Sequence, residues 1–83
     1  MNINFFMDKA FDEANKALLL NEVPVGAVLI DNKTQEIIET AHNLVNFNHN
    51  ATAHAEMVLI NRSVLKRKGK FLKNTSIFIT LEP

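Results

Sequence analysis

The sequence predicts an α/β fold in which helices cover both faces of a small sheet. Stretches with helical apolar spacing alternate along the chain with short β-branched runs. Two of those runs, "VPVGAVLI" and "TSIFITL", are apolar at odd and even positions alike, so both of their faces need cover. Helices and strands that alternate in this way pack as layers.

The first helix is expected from about Asn4 to Leu20. Ile3, Met7, Ala10, Ala14, Ala17 and Leu18 fall on one stripe, while Asp8, Lys9, Asp12, Glu13 and Lys16 take the other faces. Asn21 and then Pro24 stop it. The first strand runs from Val23 to Ile30, and Gly26 within it marks a bulge or a close approach by another group. "DNKT", Asp31 to Thr34, is a turn. "EIIETAHN", Glu36 to Asn43, is the second strand, in a hairpin with the first. An asparagine-rich loop, "LVNFNHNA", leads to a second helix that starts near Thr52 as N-cap. Met57, Ile60 and Val64 form its apolar stripe, and it ends near Lys68 with Gly69 at the C-cap. A third strand spans Ser76 to Leu81. Its outer edge and one face call for further elements, so self-association or low stability as a monomer is expected.

At 83 residues the chain suits a single small domain, and it buries only about 60–65% of its unfolded surface. Apolar content of 47% argues against disorder. A net charge of zero gives no mean field that would draw the molecule to nucleic acid or membrane. No apolar run reaches spanning length, and the acidic start lacks the basic region of a signal peptide, so a cytoplasmic location is expected. The absence of cysteine excludes a disulfide scaffold, a thiol nucleophile and a thiolate zinc site within these residues.

The stretch that could carry chemistry is "TAHAEM", Thr52 to Met57. His54 and Glu56 stand two apart, so in mid-helix they would not share a face. At a helix N-terminus a ligand on the axis is within reach of both, and the free N–H groups favour an anion such as hydroxide. Ala53 and Ala55 leave room. The layout suits a histidine that ligates a metal and a glutamate that handles the proton of a bound water. A bare H-x-E is more often a capped helix with an incidental histidine and a first-turn acid. His42 and His49 read as loop histidines, and a zinc set of His42, His49 and His54 is an alternative that no spacing rule fixes.

In order along the chain stand "EVPVGAV", an asparagine at the end of the second strand, "TAHAE" and "TLEP". This combination resembles the first half of the zinc-dependent cytidine deaminase-like family, and within it the bacterial tRNA-specific adenosine deaminases. The family signature is H-x-E followed by P-C-x-x-C, with "HAE" at His54 to Glu56 and Pro83 where the second motif begins. The resemblance implies an α/β/α sandwich of that type, here a single incomplete domain over residues 1–83 with about two helices and three strands in a mixed sheet. It implies hydrolytic deamination of a nucleobase, most closely adenosine to inosine in tRNA. His54 would be one Zn2+ ligand and Glu56 the catalytic proton carrier. Asn43 would hydrogen-bond the base, Val25, Gly26 and Ala27 would wall the pocket, and Glu22 would sit at its mouth. It implies a homo-oligomer.

Both cysteine ligands of the pattern are absent from these residues, so the chain alone is expected to be inactive. A non-catalytic remnant, or a fragment completed by a second chain, is the alternative. The family commonly has Asp-Pro where this chain has Asn50-Ala51, and often Arg where it has Leu44. Both touch the substrate loop, so a free cytosine or guanine stays open as substrate. The basic stretch of Arg62, Lys66, Arg67, Lys68, Lys70 and Lys73 reads as an RNA phosphate contact or as a solvated helix end.

Overall fold

A computed structural model of the chain describes residues 2–44, 51–66 and 73–80. The elements run α1 (Ile3–Leu19), β1 (Gly26–Asp31), β2 (Ile37–His42), α2 (Ala51–Lys66) and β3 (Thr75–Ile79). The two helices and three strands are those expected from the sequence. The sheet order is β2-β1-β3, with β1 central. Both pairings are antiparallel, so the sheet over these strands is antiparallel rather than mixed. Expectations that fall on His49, Lys68, Gly69, Leu81 and Pro83 lie outside the described residues.

α1 begins where the Asn2 side chain accepts from the Phe5 N–H at 3.0 Å. It ends at Asn21, which takes φ 59°. There the Glu22 N–H reaches Ala17 O at 2.9 Å and the Asn21 N–H reaches Leu18 O at 3.0 Å. These two bonds form the Schellman arrangement that closes orphan carbonyls. The buried line is Phe6, Ala10, Glu13, Ala14 and Ala17. That line corrects the expected stripe: Phe6 and Glu13 join it, and Ile3, Met7 and Leu18 leave it. Ile3 and Leu18 are each 57% exposed, and Glu13 is buried.

The reason lies at Gly26. A Cβ built there would stand inside the contact shell of Ala10 O, 2.5 Å from Ala14 N and 2.9 Å from Glu13 Cβ. The helix backbone therefore rests directly on β1, and only small residues fit along the contact. Gly26 marks a close approach, and the one slip in the β1–β2 register falls elsewhere, between Leu29 and Ile30. Ile38 has no Cα partner in β1 at that slip. Its carbonyl accepts from Lys66 Nζ at 2.6 Å, which ties the end of α2 to β2.

Alternate residues of β1 serve alternate layers, as a doubly covered strand must. Val28 and Ile30 meet Phe6 and Ala10 on the α1 side, joined by Ile37 and Phe78. Ala27 and Leu29 meet Ala41, Ile38 and Leu59 on the α2 side. The buried line of α2 is Ala51, Ala55, Leu59 and Ser63, not the expected Met57, Ile60 and Val64. Met57 is 54% exposed. Ala51, Ala55 and Ser63 of this line are small, and Leu59 supplies its large apolar side chain. β3 is half-buried except at Ile77, which is exposed, and pairs on one side with β1. No helix of the described residues is long and apolar enough to cross a membrane.

Glu13 is 5% exposed. Its carboxylate takes Lys16 Nζ at 2.6 Å and faces His42 Nδ1 at 3.1 Å. Burial pushes the carboxyl pKa up, but the hydrogen bonds and charges of Lys16 and His42 outweigh it and hold the value below the ordinary 4.5. A carboxylate with a lowered folded pKa stabilises the fold above its unfolded value and loses that contribution as pH falls through the folded one.

Two outcomes follow for the fold. Gly26→Ala should destabilise by about 3 kcal/mol, at the upper end for overpacking, because the clash is with backbone that cannot swing away. A urea midpoint equal to that of the wild type would contradict the close approach. The stability difference between wild type and Glu13→Gln should be largest near neutral pH. It should close as pH drops below the ordinary carboxyl value of 4.5, read as converging urea midpoints.

Candidate active site

The chain just before β1 doubles back on itself, with the Val25 N–H bonded to Val23 O at 2.9 Å. Asn43 follows β2 and is fully buried. Its backbone N–H donates to Val25 O at 2.9 Å, and its Nδ2 donates to Val23 O at 3.0 Å. Asn43 is thus held by two main-chain carbonyls of the segment just before β1.

Thr80 completes this corner from the other side of β1. It is 2% exposed. Its Oγ1 accepts from the Gly26 N–H at 2.9 Å, and its own N–H donates to Gly26 O at 2.9 Å. The Gly26 peptide groups are thereby satisfied across the start of the strand. The pattern "TLEP" contains Thr80 but assigns it no part. A threonine that follows an apolar strand and finds no solvent is the signal it carries.

The first turn of α2 packs on the same corner. Ala51 and Ala55 are buried against Val25, with Val23 and Ile79 beside them. α2 is already helical at Ala51, so Thr52 lies inside the helix and not at its cap. His54 is therefore in the first turn and Glu56 in the second. Both are half-buried. At about 100° per residue they flank the buried line of Ala51 and Ala55 on opposite sides. Val25, Gly26 and Ala27 are all buried. Glu22 is half-buried and stands at the C-terminal closure of α1.

His42 does not join this group. It is the last residue of β2 and faces Glu13 of α1, whereas Ala41 packs with Leu59 of α2. His42 and His54 are on opposite sides of the sheet, which removes the alternative zinc set built on that pair. The reading of His42 as a loop histidine is likewise corrected. Glu13 could have been found from spacing alone, since position 13 falls on the Ala10, Ala14 and Ala17 line; its charge hid it.

The residues present do not by themselves fit a zinc ion. The chain has no cysteine, and among the described residues no three of His, Cys, Asp or Glu could hold a metal. Every buried side-chain polar atom among them has a partner. Of the basic stretch, Lys66 is bonded to Ile38 O and Arg62 is exposed.

Comparison with known proteins gives these features a frame. The tRNA-specific adenosine deaminase of Rickettsia felis is 42% identical over 77 residues, covering 93% of this chain and 54% of that protein. The tRNA-specific adenosine deaminase of Aquifex aeolicus is 40% identical over 83 residues, covering 100% and 54%. The chain spans about half the length of these relatives. A structure solved in a study of A-to-I editing by tRNA:A34 deaminases superposes with a TM-score of 0.78 at 32% identity, over 96% of this chain and 60% of that one. The guanine deaminase of Bacillus subtilis superposes with a TM-score of 0.78 at 26% identity, over 100% and 52%. The family pattern of the cytidine and deoxycytidylate deaminase zinc-binding region matches residues 1–83, and the chain belongs to that family.

Proposed function

We propose that this chain is the base-binding and proton-carrying half of a nucleobase deaminase, with adenosine in tRNA as substrate. The observation that supports this most is the corner where Asn43, tied to Val23 and Val25, meets the first turn of α2. That turn carries His54 and leads into Glu56.

In this reading Asn43 hydrogen-bonds the base, Val25, Gly26 and Ala27 wall the pocket, and Glu22 lies at its mouth. Glu56 takes a proton from the attacking water and delivers it to the ring nitrogen. Water adds at C6 of adenine, and ammonia leaves to give inosine. A positioned proton carrier of this kind contributes about 10²–10⁴-fold. His54 would be one ligand of a zinc ion, and since the chain has no cysteine the remaining ligands would be cysteines of a complementing segment or chain. The chain alone is therefore inactive, and the whole enzyme is a cytoplasmic homo-oligomer.

A free base is the second reading. It is favoured by the likeness to a guanine deaminase and by Leu44 and Asn50-Ala51, where the tRNA-type pattern commonly has Arg and Asp-Pro.

The test uses the purified chain, alone and mixed with a segment bearing P-C-x-x-C from the second half of the Aquifex aeolicus relative. Zinc content and inosine in a tRNA anticodon stem-loop are measured. Alone, the chain should hold no stoichiometric zinc and make no inosine. The mixture should hold one zinc and make inosine. In it, His54→Ala should lose the metal, whereas Glu56→Ala should keep it and lose about 10²–10⁴-fold in rate. Free guanine or cytosine consumed in place of the stem-loop would favour the second reading. A folded, zinc-loaded mixture that deaminates none of these would overturn the proposal.

A further inference from the structure

The pair formed by buried Glu13 and half-buried His42 lies behind the candidate site, on the α1 side of the sheet. His42 is the Cα partner of Gly26 across β1 and β2. Glu13 Cβ is one of the three atoms that a Cβ on Gly26 would meet. The ring and the carboxylate therefore meet at the edge of the α1–Gly26 contact. Directly after His42 the chain delivers Asn43, which is bonded to Val23 and Val25.

We propose that Glu13 and His42 are positioning residues whose contact fixes the end of β2, and so the placement of Asn43. This rests on the reading of Asn43 as the residue that contacts the base. The mechanism is mechanical. β2 is paired with β1 on one side only, among the described strands. The last residue of such a strand frays unless something besides the ladder holds it. Here the hold comes from a buried carboxylate. Such a group is costly to leave without partners, so it secures a donor facing it. His42 Nδ1, 3.1 Å from Glu13 Oε1, supplies that donor when it carries the ring proton. Lys16 bonds the other carboxylate oxygen, Oε2, at 2.6 Å from the exposed side. One oxygen is thus committed to solvent-side Lys16 and the other to the strand end. The titratable groups at this point are Glu13 and Lys16 of α1 and His42 of β2.

The pair has a direction. α1 is fixed on β1 by the missing Cβ of Gly26, so Glu13 approaches the sheet from a rigid base. His42 is the part that would otherwise move. Loss of the contact should free Asn43 before it affects the middle of β1.

The experiment is residue-resolved amide exchange on the full 83-residue chain. Asn43 is compared with Leu29 in the middle of β1. In Glu13→Ala and His42→Ala, exchange at the Asn43 N–H should rise on the order of tenfold relative to Leu29, as local opening does. Glu13→Gln keeps an acceptor for Nδ1–H. His42→Asn keeps a donor near the Nδ1 position. Both should return the ratio to within about threefold of wild type, a rescue that simple loss of core packing would not give. Asn43 and Leu29 rising together in His42→Ala would overturn the proposal, as would failure of both conservative variants to rescue. Should Glu13→Ala not fold, the His42 series decides alone. A tRNA anticodon stem-loop is then titrated into the wild-type chain mixed with the P-C-x-x-C segment while the Asn43 side-chain resonance is followed. A resonance that stays still would remove the base-contact reading, while the exchange ratios would still decide the positioning role.

Discussion

The separation of α1 from β1 is set by the hydrogen that Gly26 carries in place of a Cβ. At that point the carbonyl of Ala10 and the amide of Ala14 occupy the volume any larger residue would need. Close approach demands small residues on the helix, which is why Ala10, Ala14 and Ala17 form the contact and Leu18 turns outward. It also brings Glu13 down to the sheet, where a carboxylate would not otherwise lie. The polar contacts behind the candidate site are a product of this one spacing.

β1 is the strand on which the candidate site is mounted. Its start is held by Thr80 from the end of β3, and the residues before it are held by Asn43 from the end of β2. Ala51 and Ala55 then close on Val25 from the other layer. Three separate stretches thus meet at one strand end. Most of the bonds among them are to main-chain atoms. A site anchored in that way tolerates change in neighbouring side chains, because peptide groups offer the same partners whatever residue carries them. The same scaffold superposes on structures described by tRNA adenosine and guanine deamination.

The sequence is readable where periodicity and chain-breaking chemistry agree. Both helices, the hairpin and the third strand are legible, as is the end of α1 at Asn21. The faces of the helices are not. Hydrophobicity points to Leu18, Met57 and Val64, yet the sheet takes the alanines. Spacing between layers is a tertiary property, and a sequence reveals it only through a residue such as Gly26, whose partner is unnamed until the fold is seen. The local pattern of the candidate site, "TAHAE" after "VPVGAV", is legible as a family pattern. Thr80 and His42 are not, because each acts through a contact far along the chain, and Glu13, although on the alanine line, is masked by its charge.

The bond between Gly26 and Thr80 closes a separation of 54 residues. The β1–β2 hairpin is local, whereas β3 can add only after the intervening chain, α2 included, has been drawn back to the sheet. Closing so long a loop costs entropy before any contact repays it, and sheets rich in distant pairings fold slowly for that reason. The corner that carries Asn43 and the start of α2 is thus braced by a bond that exists only while that long loop stays closed. Loosening of β3 would release the start of β1 along with it.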